Sequence, residues 1–253
     1  MELNISVQWA IGLALAVSRA GAFVGFCAFV PKMIPRMVRG IFALALGLFI
    51  ATPVKIGADI ATTELVIDAF VNISIGALIG WFLGLPVHLF SVAGSVVDTT
   101  SGITIGSLFD PDAGGTPGPI SRAYSLTGQT LVIAMGGLTV MTQVLWVTTK
   151  VVRLDGRMGS IAGLSDVAIA SVSDLVRHGV ELALPIASVL FVGELAFGLL
   201  SRMAPQINMF LVGLPLKTLL TVSMLGSASV VFPRFVDRAI SAGTQTALRL
   251  LGA

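Results

Sequence analysis

Six apolar runs punctuate the chain. Trp9 to Val30 carries no charge but Arg19 and supplies the roughly 20 residues that a bilayer-spanning helix needs. Gly40 to Val54 is equally apolar but short, reaching only about 22 Å against roughly 30 Å of hydrocarbon. Leu65 to Val97 is long and includes Asp68 and His88; Ala123 to Thr149, Gly179 to Leu200 and Ile207 to Phe232 complete the set. Two stretches break the pattern. Thr99 to Pro119 is rich in Gly, Thr, Pro and Asp and predicts a long loop. From Ser160 to Arg177, apolar residues such as Ile161, Leu164, Val167 and Val172 recur at helical spacing against Ser165, Asp166, Ser173 and Asp174. That is an amphipathic helix fit for a membrane surface or a partner helix, and Pro233 to Ala253 looks like a second. The pattern predicts an all-α, polytopic, membrane-associated protein of hydrophobic helices.

Composition strengthens this reading. Hydrophobic residues make up 55% of the 253 and charged residues 11%, with a mean hydropathy of +0.98. A soluble domain carries about 25% charged residues, so most of this surface faces something other than water. The first ten residues hold Glu2 and no Lys or Arg, a poor start for a cleaved signal, and the first apolar run is read as a retained helix. The lone Cys27 is a small packing residue. A net charge of +2, with the basic residues scattered between apolar runs, excludes a nucleic-acid stripe.

Charge placement creates a conflict. Lys32, Arg36 and Arg39 lie in one acid-free loop, and Lys150, Arg153 and Arg157 stand against the single Asp155 in a second loop, so both belong inside. Three apolar runs separate them, which puts them on opposite sides. Either Gly40–Val54 does not cross, or these helices are buried in a protein assembly.

Gly76, Gly80 and Gly84 recur every fourth residue and leave one helix face as bare backbone for close helix contact; Gly21 and Gly25 repeat the spacing. Arg19, Asp68, Glu194 and Lys217 stand inside apolar runs, where each needs a partner or water. Pro205 and Pro215 flank Gln206, Asn208 and Gly213 and predict a bent helical hairpin near the C-terminus. Irregular backbone at membrane depth survives only under protein or water, which suggests a channel or transporter interior.

Catalytic chemistry is thin. There is no Gly-rich phosphate loop, GxSxG elbow, HExxH or cysteine pair, so an enzyme, a metal site and a cofactor are not expected. Asp110-Pro111-Asp112 lacks the later acidic ligand of a calcium loop.

Arg202-Met-Ala-Pro-Gln-Ile-Asn-Met-Phe-Leu-Val-Gly-Leu-Pro-Leu-Lys217 resembles the most recognisable motif of the FliR/SctT family. Ala93-Gly94, Asp98, Gly102 and Phe109-Asp110-Pro111 give a second match, and the loop Pro31 to Arg39 a weaker third. Ser95 and Leu138 stand where many members carry an acid and a histidine. The resemblance spans nearly the whole chain and implies one FliR-like export-gate subunit over 1–253. Such a subunit assembles with FliP-like, FliQ-like and FlhB-like chains in a bacterial inner membrane, at a flagellar basal body or, alternatively, in an injectisome. Unfolded protein substrates pass through the gate. The resemblance further implies that much of the core is lifted out of the bilayer, and that a plug loop carries Gly102, Gly106, Leu108, Phe109, Asp110 and Pro111. It also implies a FliQ-like hairpin carrying Arg202, Pro205, Gln206, Asn208, Gly213, Pro215 and Lys217. The alternative of a different class is a small-solute or proton-coupled transporter using Arg19, Asp68 and Glu194. Such carriers show internal repeats, and no convincing repeat is visible.

Overall fold

The computed structural model describes residues 7–30, 34–52, 62–104, 117–155, 164–206 and 208–250, and among them every regular element is a helix. These are α1 (Val7–Phe26), α2 (Arg36–Ile50), α3 (Thr62–Ser101), α4 (Pro119–Ala134), α5 (Gly137–Val151), α6 (Leu164–Met203), α7 (Met209–Ser229) and α8 (Phe232–Leu250). Within the described residues, Gln8–Phe26, Thr63–Ser101 and Ala168–Met203 are long and apolar enough to cross a membrane, and α4 with α5 can form a fourth, broken span.

Three differences from the sequence expectation have local causes. The run Ala123–Thr149 is split, because Gly136 takes a left-handed φ of +91° that ends α4 and sharply redirects the chain into α5. The amphipathic stretch and the run after it fuse into one 40-residue α6, with Pro185 accommodated inside it. In the C-terminal hairpin, Pro205 sits in the turn after α6, while Pro215 lies within α7 without ending it.

The chain forms two compact units, each assembled from separate stretches. One draws on residues 1–85, 132–172 and 239–253, the other on 86–131 and 173–238. The division falls inside α3 at Leu85–Pro86, where the proline removes one rung of the helix ladder.

In the first unit α1 packs along α2, which approaches closely enough that a Cβ on Gly47 would lie 2.8 Å from the Val17 Cα. Leu15, Phe23, Ala43, Leu46, Ile79 and Leu145 are buried. The outward faces are also apolar: Met37, Ile41, Leu44 and Leu48 on α2, and Val66, Phe70 and Ile73 on α3. In the second unit the later half of α3 runs antiparallel to α4, with Gly94 against Ser121 and Phe90 against Gly128. Phe232, opening α8, stacks between Phe90 and Tyr124 at ring separations of 5.2 and 4.8 Å. The α6–α7 hairpin exposes Phe191, Val192, Leu195, Leu199, Leu211 and Leu219. Contiguous apolar faces on this scale mark contact with lipid or with another protein.

Candidate functional site

The glycine face of α3 is filled from within the chain. A Cβ on Gly76 would meet the Arg19 carbonyl oxygen at 2.1 Å, one on Gly80 the Phe23 carbonyl oxygen at 2.5 Å, and one on Gly84 the Ala28 nitrogen at 2.9 Å. Gly76 and Gly80 therefore seat α1 directly on the α3 backbone, and Gly84 admits the turn that follows α1. Gly21 and Gly25 do not continue this contact: a Cβ at either would meet nothing within 4 Å.

Close approach brings Arg19 into a polar knot. Its side chain is fully buried, and no carboxylate accepts from it among the described bonds. Nε donates to Asn72 Oδ1 at 2.8 Å, and the terminal nitrogens to Thr148 Oγ1 at 3.3 Å, the Val152 carbonyl at 2.9 Å and the Arg153 carbonyl at 3.4 Å. Asn72 in turn donates to the Asp68 carbonyl at 2.7 Å and the Leu154 carbonyl at 3.0 Å. Three consecutive carbonyls just beyond the end of α5 thus turn inward onto two side chains. A charge buried among neutral acceptors costs free energy that only a full set of hydrogen bonds offsets.

In the second unit Asp98, 1% exposed, spans the root of the Gly-rich loop. Its Oδ1 accepts from the Ile120 amide at 3.1 Å and its Oδ2 from the Ser121 amide at 2.8 Å. These are orphan donors in the first turn of α4, where the helix dipole favours an anion. Gly118 passes so near that a Cβ there would lie 2.2 Å from Oδ2. The carboxylate therefore ties the end of α3 to the start of α4. Of the expected plug residues, Gly102 is described, in a left-handed conformation with φ +77°. Gly106, Leu108, Phe109, Asp110 and Pro111 lie outside the described residues.

The hairpin motif residues meet only in part. Lys217 Nζ lies 2.9 Å from Glu194 Oε1, the lysine side chain 14% and the glutamate 62% exposed. The pair bridges α7 and α6, while Gly213 faces the Phe197 ring, where a Cβ would lie 3.6 Å away. Around them opens a cleft of about 460 Å³ that also touches Thr99, Thr100, Gly198 and Ser201. Arg202, Pro205, Gln206 and Asn208 occupy the exposed end of α6 and the turn, outside this cluster. Asp68 is half-buried and takes no described ion pair. No group of three or more His, Cys, Asp or Glu residues that could hold a metal is found among the described residues.

Sequence reasoning placed Arg19, Asp68, Glu194 and Lys217 inside apolar runs, with Arg19 and Glu194 deepest, whereas the Glu194 side chain is 62% exposed; it missed Asn72, Thr148 and the carbonyls of Val152 and Arg153, which lie 53 to 134 residues from Arg19. The only local signal for the start of α4 is Pro119 at its first position. Its capping carboxylate comes from 22 and 23 residues upstream.

Comparison with known proteins bears on all of this. The profile of the family described as bacterial export proteins, family 1, matches residues 10–243. The surface presentation of antigens protein SpaR of Shigella flexneri is 28% identical over 73% of this chain and 71% of its own length. The flagellar biosynthetic protein FliR of Caulobacter vibrioides is 26% identical over 84% of this chain and 86% of its own. The FliR of Escherichia coli is 25% identical over 67% and 65%.

Proposed function

The chain belongs to the bacterial export proteins, family 1, and on that footing we propose that it works as the export-gate subunit of a type III secretion apparatus, passing unfolded proteins through a membrane-embedded assembly. The observation that carries this reading is the reach of the family match, which runs through both units and every helix carrying the sites above. Uncovered apolar faces on α2, α3, α6 and α7 support an assembly with FliP-like, FliQ-like and FlhB-like chains in the bacterial inner membrane. The role is one of conduction without a catalytic centre.

We assign the chain to a flagellar basal body, in line with the FliR relatives aligned over most of their length. The SpaR relatives support an injectisome as the second reading. Removing the chain from its host tests both. Loss of secreted flagellar protein and of motility, restored by supplying the chain, is the expected result. Loss of secreted effector proteins with intact motility would move the assignment to the injectisome. Unchanged secretion in both assays would overturn the export reading.

A further inference from the structure

The cleft lined by α6, α7 and the end of α3 holds two unmet hydrogen-bonding needs of opposite sign. Lys217 is mostly buried, and an ammonium has three protons to place. One goes to Glu194 Oε1 at 2.9 Å; among the described residues the other two have no acceptor. Glu194 is the converse case, since no described donor reaches its Oε2. The hydroxyls of the wall sharpen the demand. Thr99 donates to the Ser95 and Val96 carbonyls at 3.0 and 2.9 Å, Thr100 to the Val96 carbonyl at 2.8 Å, and Ser201 to the Gly198 carbonyl at 2.7 Å. With its proton spent on its own helix, each hydroxyl offers the cleft lone pairs alone. The cleft therefore calls for a cation with N–H donors beside Glu194 and for anionic oxygen beside Lys217.

Space and setting narrow the ligand further. At about 460 Å³ the cleft falls in the size range of small-molecule sites. A Cβ on Gly198 would meet nothing within 4 Å, so the wall is open there. Glu194 stands about 14 Å of helix before Met203, the end of α6, where Arg202 and Gln206 are exposed. The same helix exposes Leu195 and Leu199 beside the cleft, and it is apolar enough to cross a membrane. The cleft thus sits where the apolar surface of a membrane helix gives way to its polar end.

We infer that this cleft binds the headgroup of a bilayer phospholipid that carries a primary ammonium, the phosphoethanolamine class. Phosphate oxygens take the two remaining protons of Lys217. The ammonium donates to Glu194 Oε2 and to the lone pairs of the lining hydroxyls. The ion pair between α6 and α7 stays closed, because each half of the headgroup uses atoms that the pair leaves over. The acyl chains run out along Leu195 and Leu199. A choline headgroup has no N–H to donate, and a phosphoglycerol headgroup brings no cation to Glu194, so each meets half of the demand. The inference goes beyond the export-gate reading and requires only that the chain resides in a membrane.

The test moves the full-length chain, with the subunits that co-purify, into nanodiscs of phosphatidylglycerol mixed with one second lipid. That lipid is phosphatidylethanolamine, its N-methyl or N,N-dimethyl derivative, or phosphatidylcholine, and native mass spectrometry reads what the protein retains. Retention is expected to fall with each added methyl and to end roughly tenfold lower for choline than for ethanolamine. Glu194→Gln should erase that preference. Gly198→Trp fills the cleft from a position with open space around it and should abolish retention. If Glu194→Gln does not assemble, the headgroup series on the unaltered chain decides. Equal retention of all four lipids, or retention untouched by Gly198→Trp, would overturn the site. Displacement by free phosphoethanolamine as effective as by the lipid would overturn the lipid as ligand. A photo-reactive residue at position 198 that captures a neighbouring subunit and no lipid would overturn it as well. None of these results bears on secretion, so loss of the site leaves the export reading standing.

Discussion

A guanidinium surrounded by neutral oxygens is held by the number and direction of its hydrogen bonds, not by a counter-charge. Arg19→Met keeps the length of the side chain but strands Asn72 Oδ1 and the Val152 carbonyl, each a loss of about 1–3 kcal/mol. The expected outcome is a clear drop in the thermal midpoint of the detergent-solubilised complex. Arg19→Lys, a point charge without the planar fork, should recover only part of it. Equal midpoints for Met and Arg would show that the knot contributes nothing to stability. Asp98 makes a separate prediction. Asp98→Ala removes the acceptor of two first-turn amides and should cost roughly 1–2 kcal/mol, with Asp98→Asn milder. Faster hydrogen exchange at Ile120 and Ser121, measured by mass spectrometry, is the readout. Neither constellation was legible in the sequence. Arg19 was marked as a polar group at depth and Asp98 only as part of a family resemblance, and their partners are mostly backbone atoms brought in from distant stretches, which leave no residue signature.

Helices, by contrast, were legible where apolar periodicity is sustained and no special dihedral intervenes. α1 and α2 lie close to their expected spans because nothing but hydrophobic length defines them. The α4–α5 break was hidden, since Met135-Gly136-Gly137 sits inside an apolar run and only the φ of Gly136 reveals the turn. α6 was read as two segments because its polar first third and apolar remainder suggest different environments, whereas the backbone continues through both. At 40 residues, α3 and α6 are each about 60 Å long, twice the hydrocarbon thickness, so neither can be a simple span. Glycines test the packing between elements. Gly80→Leu collides with the Phe23 backbone, which cannot move aside as a flexible side chain would, and should abolish recovery of assembled complex. Gly25→Ala, facing open space, should assemble normally and gain slightly from the lower entropy of its unfolded chain. Normal yield of Gly80→Leu would mean that α1 and α3 do not pack as described.

For the whole molecule, the interleaving of the two units makes each depend on stretches far apart in the sequence. The unit containing α1 also draws on residues 239–253, so α1 shares one compact unit with a stretch far downstream in the sequence. That unit therefore completes only once both stretches are present. A chain stopped after Arg238 should be cut by protease near α1 and α2, some 200 residues from the missing segment, and should be cleared from cells faster than the full chain. Protection of the N-terminal helices in that product would show that they mature without the tail.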